Sequence, residues 1–265
     1  MKKILFLTCI YINIITPAIP DTMNVNWMVD GSVYNTSTCT VGGDIILPTT
    51  PTKRGYTFLG WSATTIPTTE YTMVEYLQNT VGGGQYIDTG FTPNQDTRVI
   101  ATYMGPTSAT GRGAAFGSRQ TSTSRTFDFM FSSADDMRFD YGNYSTGHTG
   151  PAAIYGQKVT VDINKNHCDV YNESGAKVWD VSLSYSTFQT PGNLFLFGLN
   201  NGGSFAVSSD ASFRFYSFKI YDDGTLIRDF IPVLDPNGVA CMYDTVSGEY
   251  FYNAGTGDFV AGPAI

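Results

Sequence analysis

The chain has 265 residues, 42% of them hydrophobic and 14% aromatic, so it can bury a sizeable core and is not intrinsically disordered. Only 14% of its residues are charged, the net charge is −8 and no run of Lys or Arg occurs. That excludes a nucleic-acid surface, because neutralising phosphates needs clustered cations.

Lys2 and Lys3 precede an apolar run from Ile4 to Ile15, and Thr16, Pro17 and Ala18 follow it. This is the pattern of a secretory signal over residues 1–18. A run of about a dozen apolar residues is too short for a bilayer, which needs roughly twenty. Cleavage near Ala18 is therefore expected, with no membrane insertion afterwards and a secreted or cell-surface address. Cys9 lacks the small residues that precede a lipidation site. Removing the signal leaves Cys39, Cys168 and Cys241, an odd number with at least one thiol free or paired between chains. Cys168 shares a strand face with Val170, and Cys241 with Val239 and Tyr243, so both read as small buried hydrophobes. Zinc or redox chemistry has no support, since no Cys-x-x-Cys spacing occurs.

Residues 19–62 read as a small β module. Asn24 to Val29 is a strand candidate, Asp30-Gly31 a turn and Val33 to Val41 a second strand. Next comes Gly43-Asp-Ile-Ile-Leu-Pro-Thr-Thr-Pro-Thr-Lys-Arg-Gly-Tyr-Thr-Phe-Leu-Gly-Trp61. Pro48 and Pro51 stiffen the turn. Tyr56 and Phe58 fall on one side of an extended segment, with Leu59 and Trp61 on the other, and Trp61 reads as core. The order and spacing resemble the Listeria-Bacteroides repeat, the β-grasp-like module of internalin B-type bacterial surface proteins. That resemblance implies a spacer or adhesive unit, usually present in series; here there is one copy. Ala63 to Thr69 is a Thr/Pro linker.

Residues 70–262 read as many short strands separated by turns, with no helical period. Expected strands include Tyr71 to Leu77, Arg98 to Met104, Thr126 to Phe131, Lys158 to Ile163, Lys177 to Leu183 and Leu194 to Leu199. The strongest element is a hairpin: Ser212 to Tyr221, a turn at Asp222-Asp-Gly224, and a return from Leu226 to Leu234. Strict alternation puts Phe213 and Phe215 on one face of its first strand and Tyr216 and Phe218 on the other, which predicts a strand inside a sandwich. Trp179 shares a face with Val181 and Leu183 and reads as core. The expected fold class is all-β: an antiparallel β-sandwich after the small module.

Three places resemble concanavalin A-like, laminin G-like jelly-roll domains of secreted bacterial proteins. They are Val74 to Leu77 with Gln85 to Gly90, then Phe215 to Tyr221, and last Arg228 to Pro232 leading to Met242-Tyr-Asp244 and Asn253 to Gly257. The resemblance implies a jelly roll that hosts lectins, glycosidases or adhesion domains. Laminin G-like domains also often hold one calcium ion, and Asp135, Asp136 and Asp140 are the matching carboxylates, with a solvated turn as the alternative. No other cofactor is implied.

Enzymatic parts are missing. The glutamates are Glu70, Glu75, Glu173 and Glu249, none in the Glu-x-Asp-x-x-Glu strand of glycosidases on this sandwich, so Glu75 and Glu249 read as solvated. The only histidines are His148, in a polar loop, and His167, beside the turn at Asn164-Lys-Asn166, where exposure is expected. Sugar binding needs polar aromatics and amides on loops over a rigid scaffold. Tyr141, Asn143, Tyr144 and His148, in a Gly-rich stretch, are the best such group. The chain thus reads as an exported, non-enzymatic recognition protein whose partner is a glycan or a surface protein. The alternatives are a structural or appendage component without a small ligand, and a glycosidase with displaced carboxylates.

Overall fold

The computed structural model describes residues 22–29, 32–40, 47–52, 71–106, 113–121, 124–133, 136–145, 154–206 and 211–265. The chain divides into two compact units, residues 1–69 and 70–265. The signal at 1–18, the linker, Trp61 and most of the motif from Gly43 onward lie outside the described residues.

In the first unit, β1 (Thr22–Val29) pairs antiparallel with β2 (Ser32–Thr40), with a register shift between Trp27 and Met28. Trp27 is buried, and its indole Nε1 donates to Ser37 Oγ across the hairpin at 2.9 Å.

The second unit begins with β3 (Thr72–Met73), β4 (Leu77–Gln78), β5 (Ile87–Asp88), β6 (Thr97–Met104), β7 (Gly113–Arg119) and β8 (Thr126–Ser133). There follow β9 (Asp136–Gly142), β10 (Tyr144–Ser145), β11 (Lys158–Asn164), β12 (His167–Asn172), β13 (Lys177–Ser182) and β14 (Phe195–Leu196). The last are β15 (Leu199–Asn201), β16 (Ser204–Ala206), β17 (Arg214–Asp222), β18 (Thr225–Leu234), β19 (Ala240–Asp244), β20 (Glu249–Phe251) and β21 (Val260–Ala261). No α-helix occurs among the described residues. They form two sheets. The smaller runs β10-β9-β8-β7-β14-β5, with β15 and β16 attached, and the larger runs β13-β12-β11-β6-β17-β18-β19-β20, with β3, β4 and β21 attached. Every pairing is antiparallel except β15 with β7.

The sheets stack face to face through rings. Tyr103 of β6 meets Phe129 of β8 at 6.1 Å between centroids, and Phe116 of β7 meets Phe218 of β17 edge-on at 5.1 Å. Trp179 packs on Phe129 at 6.5 Å, as core. Each fully buried ring contributes about 1.5 to 3 kcal/mol, so this layer is the anchor of the unit. Cys168 and Cys241 are free and buried, whereas Val239 is exposed.

The hairpin of β17 and β18 forms at the expected place. Asp223 and Gly224 both have positive φ, 44° and 80°, as a two-residue type I′ turn requires. Strict alternation fails, however. The register shifts between Phe215 and Ser217, where β17 pairs with β6. One extra residue flips the face of all that follows, so Phe213, Phe215, Phe218 and Ile220 all enter the core, while Arg214, Lys219 and Tyr221 remain partly exposed. Two other expected strands are broken. Glu75 and Tyr76 separate β3 from β4, and between β14 and β15 Phe197 sits at φ 64° with its ring against Phe215 and Phe259.

Candidate functional site

The larger sheet turns one face to the core and the other to solvent. On β6, β11 and β12 the inward residues Val99, Ala101, Tyr103, Val159, Val161, Ile163, Cys168 and Val170 are buried. Their neighbours along each strand point outward, as the two-residue period dictates, and strand register stacks those outward side chains in rows.

The first row is Gln78, Arg214, Met104 and Lys158, across β4, β17, β6 and β11. The second is Ser217, Thr102, Thr160, Tyr171 and Lys177. The third is Lys219, Ile100, Asp162, Asp169 and Asp180. Chemistry changes from row to row: cations, then hydroxyls, then carboxylates.

The third row is internally compensated. Arg98 holds Asp162 through two hydrogen bonds of 2.9 and 2.7 Å, and Lys219 donates to Asp229 at 2.8 Å. Asp169 accepts from Lys177 Nζ at 2.9 Å and from the Tyr171 hydroxyl at 3.3 Å, and His167 Nε2 lies 3.1 Å away. Burial pushes the Asp169 carboxyl upward, but the Lys177 hydrogen bond and the His167 ring outweigh it and hold the group below the usual carboxylate range. His167, Asp169 and Asp180 offer ligand atoms within 4.8 Å of one another, although Lys177 already supplies a positive charge there.

Between the first two rows lies a groove of about 460 Å³, lined by Thr102, Lys158, Thr160, Tyr171, Asn172 and Glu173. Thr102 Oγ1 and Thr160 Oγ1 share one hydrogen bond of 3.0 Å, so one hydroxyl proton stays available to a ligand. The Asn172 side-chain oxygen is used by its own turn, accepting from Ala176 N and Ser174 Oγ, which leaves the side-chain N–H groups for a ligand. Glu173 is exposed. At one end, Lys158 Nζ lies 4.2 Å from the centroid of Tyr216, Tyr216 meets Tyr76 edge-on at 5.7 Å, and the Arg214 guanidinium lies 4.6 Å over Tyr76. Burial, then Glu75, raises the Tyr216 phenol above its ordinary pKa against the opposing effect of Arg214, so it stays a neutral donor. Hydroxyls, an amide, a carboxylate, an ammonium and flat rings thus converge on one groove.

The loop group expected to bind sugar is placed differently. Tyr141 belongs to β9, not to a loop; its ring is fully buried against Phe188 at 4.9 Å, and its hydroxyl donates to the Gln95 carbonyl at 2.9 Å. The alternation Met137, Phe139, Tyr141 carries it into the core. Asn143 occupies the exposed turn, its side-chain oxygen accepting from Arg125 N at 3.4 Å, and Tyr144 is exposed on β10. His148 lies outside the described residues.

Asp140 is likewise no turn residue. It is fully buried on β9, ion-paired with Arg138 at 2.8 Å and cross-strand from the buried Asp128 of β8. Asp135 and the side chain of Asp136 lie outside the described residues. Burial and the neighbouring Asp140 push Asp128 well above the carboxylate range, against Arg119 and Arg138. Both of its oxygens lack a hydrogen-bond partner.

Lys158, Thr160, Tyr171 and Tyr216 were not singled out from sequence. The polar half of the alternation Lys158-x-Thr160-x-Asp162 signals a solvent face, but only strand pairing sets Thr160 beside Thr102.

Residues 24–81 match the model of the Listeria-Bacteroides repeat domain. The match runs past residue 69 into the second unit, where Met73 pairs with Val233 and Leu77 with Phe215. No helix among the described residues is long and apolar enough to cross a membrane. Comparison with curated proteins gives no match. Among solved structures, the chain is similar to the Ruminococcus gnavus IT-sialidase CBM40 bound to α2,3-sialyllactose, at 15% identity over 53% of this chain and 88% of that one, with a TM-score of 0.35. The same CBM40 is also matched at 16% identity, 53% and 89% coverage and a TM-score of 0.35. A Bacteroides ovatus protein assigned a carbohydrate-binding role is similar at 8% identity over 92% of this chain and 69% of that one, with a TM-score of 0.47.

Proposed function

We propose that the protein is an exported, non-catalytic recognition protein, and that its concanavalin A-like sandwich binds carbohydrate in the groove between β6, β11 and β12. The observation that carries this reading is the groove itself. The Thr102–Thr160 hydroxyl pair forms its floor, Tyr171, Asn172 and Glu173 one wall, and Lys158 against Tyr216 its end. Sugar hydroxyls both donate and accept, and their ring faces are apolar; a site for them combines both kinds of partner on a rigid scaffold. The second row supplies this without loop rearrangement.

The state of the carboxylates supports binding over hydrolysis. Cleaving a glycosidic bond needs one carboxylic acid kept protonated beside substrate. Asp169, bonded to the Tyr171 hydroxyl of the groove wall, is held ionised by Lys177 and His167. Asp128, the carboxyl with a raised pKa, is sealed under the smaller sheet's solvent face.

A glycan array with the full chain, with and without calcium, tests the reading. Tyr171→Ala is expected to remove the array signal while the thermal transition stays in place. A signal that survives Tyr171→Ala and persists with Thr160→Val would move the site elsewhere, and no signal on any glycan would end this reading.

A second reading, a surface-protein or assembly contact, rests on a row of rings at β19 and β20. Tyr71 meets Tyr243 at 4.8 Å, Tyr243 meets Tyr250 at 5.2 Å, and Tyr250 meets the exposed Tyr252 at 6.1 Å.

A further inference from the structure

The chain carries 23 acidic and 15 basic residues, so a cation without a carboxylate partner is unusual in it. On the larger sheet Arg98, Lys165, Lys177, Lys219 and Arg228 are each ion-paired to an aspartate, at 2.7 to 3.6 Å. Arg119 and Arg138 are paired on the smaller one, at 3.9 and 2.8 Å. Among the described residues, Lys158, Arg214 and Arg125 are the exceptions. Arg125 lies at a turn of the smaller sheet and donates to Gln120 at 2.7 Å. Lys158 and Arg214 lie together.

Register places them in one row, with Met104 of β6 between them, which sets their backbones two strand spacings or about 10 Å apart. Both are held by neutral groups. Arg214 Nε donates to Gln78 Oε1 at 2.7 Å while its guanidinium covers Tyr76, and Lys158 covers Tyr216. Gln78 is itself oriented, donating to Ser212 Oγ at 3.0 Å, which in turn donates to the Asn79 carbonyl at 2.7 Å. Glu75 is exposed and bears on Tyr216, and Glu173 stands at the far wall, but neither reaches ion-pair distance of the two cations. The result is a sequence of cation, ring, ring, cation that opens into the groove at Lys158. Ring faces orient the cations yet neutralise no charge.

We propose that this row gives the groove its charge selectivity: the ligand is an acidic carbohydrate, one whose carboxylate or sulfate is taken by Lys158 and Arg214 while its neutral sugar rings lie along the hydroxyl row beside Tyr171. This deepens, and rests on, the carbohydrate reading of the same groove. Guanidinium and ammonium donors to a carboxylate or sulfate make short charge-assisted hydrogen bonds, roughly twice as strong as neutral ones, so the anionic group dominates the choice among sugars. Glu75 and Glu173 at the flanks repel a second anionic group close to the first, which favours one charge per bound segment.

Calorimetric titration of the full chain with xylo-oligosaccharides carrying a single glucuronate and their methyl esters, and with galactan oligosaccharides carrying a single sulfate and their desulfated forms, tests this. The acidic member of each pair is expected to bind roughly tenfold or more tightly than its neutral counterpart, with the gap narrowing as salt rises. Lys158→Met and Arg214→Met, which keep the apolar stems, are each expected to abolish most of that gap. Equal binding of acidic and neutral forms, or a gap that survives both substitutions, overturns the charge assignment while carbohydrate binding stands. Failure of all four ligand types, with a glycan array that is also blank, overturns the groove as a carbohydrate site and this inference with it.

Discussion

Phe215 and Phe218, three residues apart on β17, lie in the same core with their ring centroids 5.8 Å apart. Strict alternation would send them to opposite faces. The bulge at Tyr216 lets both pack inward and leaves Tyr216 itself to the solvent side, beside Lys158. One backbone irregularity thus serves both the core and the candidate groove.

Phe218→Ala is expected to lower stability by about 3 to 5 kcal/mol. Its ring is fully buried and packs edge-on against Phe116 of the opposite sheet at 5.1 Å. Urea titration followed by tryptophan fluorescence checks this, and a loss below about 1 kcal/mol would contradict the central role given to this ring.

Gly117→Ala is expected to destabilise by about 1 to 3 kcal/mol through overpacking. A methyl group there would stand 2.4 Å from Asp128 Cβ, 2.7 Å from Leu199 Cδ1 and 3.1 Å from Asp128 Cα. Two of these neighbours belong to the paired strand, which cannot withdraw without breaking its ladder. A fall in Tm measures the effect.

Asp128 predicts a pH dependence of stability. Its native pKa is raised by burial and by Asp140, against Arg119 and Arg138, so the native state keeps a proton that an unfolded aspartate releases above about pH 4. The native state then binds more protons than the unfolded one, and this group's contribution to stability falls as pH rises from about 4 toward its native pKa. Asp128→Asn removes the titration and keeps the shape. It is expected to flatten that slope and to raise stability at neutral pH, as measured by urea midpoints across the pH range.

Cys168 and Cys241 are expected to resist thiol reagents in the native protein at pH 8 and to react on unfolding. Both are buried; burial pushes the Cys168 thiol far up and Cys241 up to about 12, so neither offers thiolate. Peptide mass spectrometry after labelling, with and without denaturant, reads this site by site.

Thr160→Val retains shape and removes one of the two hydroxyls on the groove floor. It is expected to weaken glycan binding about three- to tenfold, read by calorimetry on the glycan found by the array.

Much of the architecture is written locally. The strand content, the hairpin around Asp223-Gly224, the packing of Trp179 against the core and the burial of Cys168 all follow from strand propensity, turn chemistry and two-residue alternation, which act between residues close in the chain. Tyr141 is the instructive failure among the site residues. Its Gly- and Asn-rich surroundings read as a loop, yet pairing of Tyr141 with Phe127 extends the strand and buries the ring.

The amino-acid sequence by itself determined that this is an all-β chain with a ring-filled sandwich, because those properties depend on side-chain type and short-range spacing. Only the tertiary structure decided which polar residues meet. Thr102 and Thr160 are 58 positions apart, and their 3.0 Å contact exists because β11 pairs with β6 in one register. A register is chosen by the whole core at once, since a slip of one residue would turn every buried ring of a strand into water, and no local stretch carries that information.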